Sequence, residues 1–146
     1  MEDRTSFLIF LKIYAYDKKT SINMTRESSF MAEELKMIFI ISSGMEARGK
    51  ALAGLRMAIN MKKKGRASDV RLLFFGPSEE MIAKGGEDID GMLKEAAELD
   101  MYRTACVFIA QQHKIDQTLT AKGVKLEPAG EVLAKAMKED CVPITF

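Results

Sequence analysis

The sequence predicts an α/β fold of three layers, with helices on both sides of a mostly parallel sheet of about five strands. Three observations predict it. Short, continuous apolar runs such as KMIFIIS (36–42) and DVRLLFF (69–75) are the mark of strands buried on both faces. Between such runs, apolar residues recur at three- and four-residue spacing, the mark of helices that bury one face. The two patterns alternate along the chain, which implies right-handed crossovers between parallel strands.

Each element has its own justification. KMIFIIS is the first strand and SGMEARG (43–49) a loop. From about Gly49 to Lys64, Leu52, Leu55 and Ile59 recur on one face with Ala51 and Ala58 beside them, and Gly65 is a natural helix end because it tolerates positive φ. DVRLLFF is the second strand, closed by Gly76-Pro77. Ser78 is expected to cap a short helix, SEEMIAK, with Glu79 and Glu80 as acids in its first turn. Gly85-Gly86 breaks that helix. A further one runs from about Asp88 to Leu99, burying Ile89, Met92, Leu93 and Ala96. GVKLE (123–127) reads as a short strand. Pro128 suits the first turn of a helix that buries Val132, Leu133, Ala136 and Met137. CVPITF closes the chain as a strand, and Pro143, which cannot donate to a ladder, puts it at an edge or makes it start late.

Composition narrows the function. The 146 residues suit one domain, and 22 Lys plus Arg against 21 Asp plus Glu leave no basic face for nucleic acid. The one dense basic cluster, MKKKGR (61–66), falls at a helix end, where cations complement the carbonyl dipole. Two cysteines and one histidine supply neither a disulfide framework nor a zinc site without carboxylates, and there is no Cys-x-x-Cys pair. A reducing cytoplasm is therefore the expected location, with no metal and no cofactor. FLIFLKIYAY (7–16) is apolar, but a membrane helix needs roughly 20 apolar residues. Residues 1–30 read as an N-terminal extension, an upstream start or an added edge strand, and residues 31–146 as the domain.

In such sheets ligands gather at the carboxyl ends of strands. Those ends are Ser42-Ser43-Gly44, Phe75-Gly76-Pro77 and the end of the strand that begins at Tyr102. The last lies within MYRTACVFIAQQHKI (101–115), which starts like a strand and ends like a helix. Two readings stay open. TACVFIA can be one buried strand with Cys106 as an inert core residue. Alternatively the strand stops at Ala105 or Cys106, and Cys106 stands at a helix start, where unpaired amides favour a thiolate. His113, seven residues on, is two turns away along a helix. It reads as a surface or subunit-contact residue.

The order and spacing of these elements over 37–146 resemble the DsrE/DsrF-like family of small sulfur-relay proteins, which includes TusD-like carriers. The features that match are a first strand ending in SSG, the helix KALAGLRMAINMKKKG, the strand DVRLLFFGP, a third strand ending in AC that leads into a helix, and a last strand ending at ITF. The resemblance implies that Cys106 is a persulfide carrier serving sulfur-donor and sulfur-acceptor proteins, and that the chain forms a homo-oligomer, a trimer or a multiple of one. Amides to hold the charged sulfur are expected at Ser43, Gly44, Gly76 and Val107. The sequence departs from the family at Asp100 and Lys114, where glycines are common.

Other classes remain. A Cys-x₅-Arg phosphate loop is excluded by Gln112. A cysteine hydrolase of the isochorismatase type needs an acid and a lysine, for which Glu46 and Lys84 are candidates. A homo-oligomeric nucleotide or small-ligand module can use SSGME (42–46) as a phosphate cradle, though without a full glycine-rich fingerprint.

Overall fold

The computed structural model describes residues 34–146, so the expected N-terminal extension lies outside the described residues. The chain runs β1 (Lys36–Ile41), a short 3₁₀ turn (Met45–Ala47), α1 (Arg48–Lys63), β2 (Asp69–Phe74), α2 (Pro77–Lys84), α3 (Glu87–Glu98), β3 (Tyr102–Cys106), α4 (Val107–Gln112), α5 (Asp116–Ala121), β4 (Lys125–Glu127), α6 (Ala129–Lys138) and β5 (Cys141–Thr145). The sheet has five strands in the order β4-β3-β2-β1-β5, and every neighbouring pair is parallel. This is the three-layer α/β/α class expected.

The strand order explains how the helices divide between the faces. From β1 to β4 each connection steps in one direction, so right-handed crossovers carry the helices to one side. The return from β4 to β5 passes β3, β2 and β1 in the opposite direction, which carries α6 to the other side. The buried residues follow this division. Phe39, Ile41, Leu72, Phe74 and Ala105 pack with Leu55 and Ile59 of α1, Met81 and Ile82 of α2 and Ile89 of α3. On the opposite face Ile38, Leu73, Cys106 and Cys141 pack with Ala129, Val132 and Ala136 of α6.

Several elements differ from the sequence reading. Asp116–Ala121 is a helix where no element was expected, because its single buried apolar residue, Leu119, makes no periodic pattern. β4 is three residues long and pairs only from Lys125 onward. Ser78 does not cap α2. Gly76 holds the cap position at φ 72, Pro77 is the first helical residue, and Ser78 is buried inside the first turn. Its hydroxyl accepts from the Phe75 amide at 3.0 Å and donates to the Ile41 carbonyl, tying the ends of β1 and β2 together. Among the described residues β5 is an edge strand, one of the two placements that Pro143 suggested.

Among the described residues three other than glycine adopt positive φ: Asp100 at 53°, Lys114 at 56° and Asp140 at 60°. The first two are the positions at which the family resemblance expects glycine. Each follows the last turn of a helix and turns the chain sharply into the next element.

Candidate functional site

β3 ends at Cys106, whose backbone is still extended at φ −69°, ψ 114°, and α4 begins at Val107. Of the two readings of this stretch, the structure adopts the strand-to-helix junction. The sulfur is nonetheless buried. Cys106 is 5 % exposed, among Ile38, Leu73, Ala129 and Val132. Cys141 is 4 % exposed in the same cluster, and burial pushes its thiol up. Both cysteines are free.

Beneath the Cys106 junction lies a group the sequence reading placed only as a first-turn acid. Glu79 in the first turn of α2 is 0 % exposed. Its Oε1 accepts a hydrogen bond from the Cys106 amide at 3.1 Å, and its Oε2 is buried with no partner. Burial pushes the carboxyl up to about 7, against the Cys106 and Gly76 amides, which pull it down. An acid in a first helical turn ordinarily reads as a solvated complement to the dipole. A signal was present all the same. Ser78, Glu79, Met81 and Ile82 fall on one helical face, and all four are buried.

The remaining predicted positions lie along the same carboxyl edge, and of these the Ser43 and Gly44 amides are bonded within the fold. The Ser42 and Ser43 amides both donate to the Phe146 O atom, at 2.8 and 3.2 Å, and the Ser42 hydroxyl adds a third bond at 3.0 Å. The Gly44 amide donates to Glu46 Oε1 at 2.7 Å. Gly44 is required by close packing, since a Cβ there would stand 2.4 Å from the Pro77 carbonyl oxygen. Gly76 occupies a left-handed turn that any side chain would strain. Val107 is half-buried at the start of α4. Lys84 closes α2. His113 caps the far end of α4 and pairs with Glu80 at 2.5 Å, on the surface and away from Cys106.

Exposed apolar side chains flank the edge: Met45 after β1, Phe75 after β2, and Phe108 in α4, which is 64 % exposed. A cleft of about 250 Å³ is lined by Asp69, Arg71 and Tyr102 near the starts of β2 and β3, Glu127 at the end of β4, and Val132 and Lys135 of α6. Its charges are largely matched internally, with Arg71 bound by Asp69 and Glu139, and Tyr102 donating to Glu127. Among the described residues no group of three or more His, Cys, Asp or Glu is placed to hold a metal ion, and no helix is long and apolar enough to cross a membrane.

Fold and site together define a small, all-parallel α/β/α protein with a buried cysteine and a buried acid at one strand end. No protein-family model matches the chain, and no curated protein matches it. Solved structures share its fold. A conserved protein of unknown function, BT1422 from Bacteroides thetaiotaomicron, superposes with a TM-score of 0.64 at 14% identity, over 75% of this chain and 94% of that one. The ychN protein from E. coli superposes with a TM-score of 0.63 at 17% identity, over 77% of this chain and 99% of that one. Both have the size and the α/β architecture of the region described.

Proposed function

We propose that the chain is a DsrE/DsrF-like sulfur-relay protein of the cytoplasm and that Cys106 is its persulfide carrier. The observation that supports the reading is the junction itself: a cysteine at the end of β3, followed at once by a helix, with the fully buried Glu79 carboxyl on its amide. A buried carboxyl with an unpartnered oxygen costs stability, and such costs cluster at functional sites.

The chemistry needs no cofactor. The Cys106 thiolate attacks the outer sulfur of a donor persulfide, R–S–SH. The new bond joins Cys106 Sγ to that sulfur, the old S–S bond breaks, and R–S⁻ leaves. Cys106–S–SH then yields its outer sulfur to an acceptor thiolate by the same exchange. No external oxidant or reductant enters. Because Cys106 is 5 % exposed, the donor reaches it only when the junction opens. α4 is six residues long, and Phe108 stands exposed beside it, so a protein that docks on Met45, Phe75 and Phe108 gains apolar contact where the opening must occur. The donor and acceptor in this reading are proteins. The chain itself is a homo-oligomer, a trimer or a multiple of one, which covers further exposed apolar residues such as Met137 and Val142.

The test is mass spectrometry after incubation with a persulfide donor. The Cys106 peptide gains about 32 Da, one sulfur atom, and Cys106→Ser removes the gain while the fold persists. A Cys106 that takes up sulfur or alkylating agent only after denaturation is a core residue, and the relay reading is then lost. Light scattering that gives a monomer mass at micromolar concentration removes the oligomer from the reading.

A further inference from the structure

Glu79 is more than a neighbour of Cys106. It is the one fully buried carboxyl among the described residues, and one of its oxygens has no partner. The other lies 3.1 Å from the Cys106 nitrogen. A cysteine sulfur stays within about 4 Å of its own nitrogen, so the carboxyl and the thiol lie within about 7 Å of each other. Two negative charges that close, both out of water, repel strongly. We propose that Glu79 and Cys106 form one buried acidic site that carries a single negative charge: an ionised carboxyl holds the thiol neutral, and a protonated carboxyl releases it.

This inference deepens the relay reading and names Glu79 as the positioning residue of its nucleophile. The exchange balances without a further reactant. Thiol and carboxylate stand on one side, thiolate and carboxylic acid on the other, and one proton moves between them. The carboxyl is pushed up to about 7, so at neutral pH it is present both with and without its proton. Formation of the persulfide anion meets the same restriction, because its charge lies on the same side chain.

The charged groups on the surrounding elements do not substitute for Glu79. On α2 itself Glu80 is bound to His113, which ends α4, and Lys84 closes the helix. The 3₁₀ turn brings Glu46, which is bound to the Gly44 amide. Asp116 opens α5, which packs against α2. Glu127, opposite Cys106 in the register of β3 and β4, accepts from the Tyr102 hydroxyl. None of these groups hydrogen-bonds to Glu79.

The experiment is the rate of iodoacetamide labelling of Cys106 between pH 6 and 10, read by peptide mass on the full chain, for the wild type and Glu79→Gln. Glutamine keeps an oxygen for the Cys106 amide and removes only the charge. Labelling at pH 8 is expected to rise at least about tenfold in the variant, and its pH profile to become a single step. Equal rates at every pH would overturn the proposal. Should the variant not fold, the reciprocal measurement decides: the ¹³C titration of the Glu79 carboxyl in wild type and in Cys106→Ser. Coupled groups shift each other equally. A Glu79 titration that does not change when the thiol is removed refutes the single-charge site. Where native Cys106 alkylates but gains no sulfur, the relay reading fails while these rates still decide the single-charge site; where it does not alkylate at all, the Glu79 titration decides it.

Discussion

Replacing Glu79 by glutamine should change how stability depends on pH, in a direction fixed by burial. In the unfolded chain a glutamate loses its proton near 4.5, whereas in the folded protein Glu79 keeps it to about 7. Well below pH 4.5 both states are protonated and the group adds no pH-dependent cost. As pH rises from 4.5 to 7 the unfolded chain ionises while the folded protein holds its proton, so stability falls with pH. Above 7 the loss levels off, at about 3 kcal/mol for a shift from 4.5 to about 7. Asp88, Asp90, Glu95 and Glu139 are held below their ordinary range, chiefly by hydrogen bonds from Arg48, Lys122, Lys63 and Arg71 respectively. Their contribution is present above that range and is lost as pH falls through it, so it lies at the acid end of the window. Glutamine carries no charge at any pH. The cost of burying its amide is a constant offset, and only the slope is diagnostic. Urea unfolding of wild type and Glu79→Gln at pH 5, 6, 7 and 8 should show the variant gaining on the wild type as pH rises. A difference that stays flat over this range would show that Glu79 is not the buried acid described.

Other outcomes follow from single residues. Lys114→Gly and Asp100→Gly remove left-handed strain at φ 56° and 53°, and each should stabilise by up to about 1 kcal/mol in thermal unfolding. A lower melting temperature in both would mean that those side chains make contacts that outweigh the strain. Gly54→Ala places a Cβ 2.4 Å from the Phe146 ring and should destabilise by about 1–3 kcal/mol. In the Phe146→Ala background the same change should cost far less, and strict additivity would argue against the contact. Oxidation of the native protein should give no Cys106–Cys141 bridge in a non-reducing peptide map. Through the strand register the two residues are separated by about 20 Å along the strands and about 14 Å across them.

The sheet was legible because a strand buried on both faces leaves an unbroken apolar run, and β1 and β2 do. The end of β3 was not, because Ala105, Cys106 and Val107 suit a buried strand and a helix start equally. What settles it is tertiary: α2 brings the Glu79 carboxyl to the Cys106 amide, so that amide is held outside the ladder. Glu79 itself was seen only as a first-turn acid, since nothing local says that a helix start will be covered. The loops after β1 and β2 were located correctly as strand ends, yet their amides were expected to be open. The bonds that occupy them come in part from Phe146, more than a hundred residues away. The turns at Asp100 and Lys114 were noticed as departures from a family pattern without their backbone meaning, because φ is invisible until the helices on either side are placed.

The place of β5 has a consequence for how the chain is made. β1 is the first described strand, and one of its sides is closed only by β5, the last. A ribosome has therefore to deliver almost the whole domain while the Ile38-Phe39-Ile40 edge stands open to any other nascent chain. Pairings of such long sequence separation form slowly, and an open apolar edge is the usual seed of aggregation. The Ser42-Ser43 loop receives its bonds from Phe146 at the same late moment. The carboxyl edge that holds Cys106 is thus completed only once β5 and Phe146 have been made, and a chain halted before Cys141 lacks both a finished sheet and a finished site.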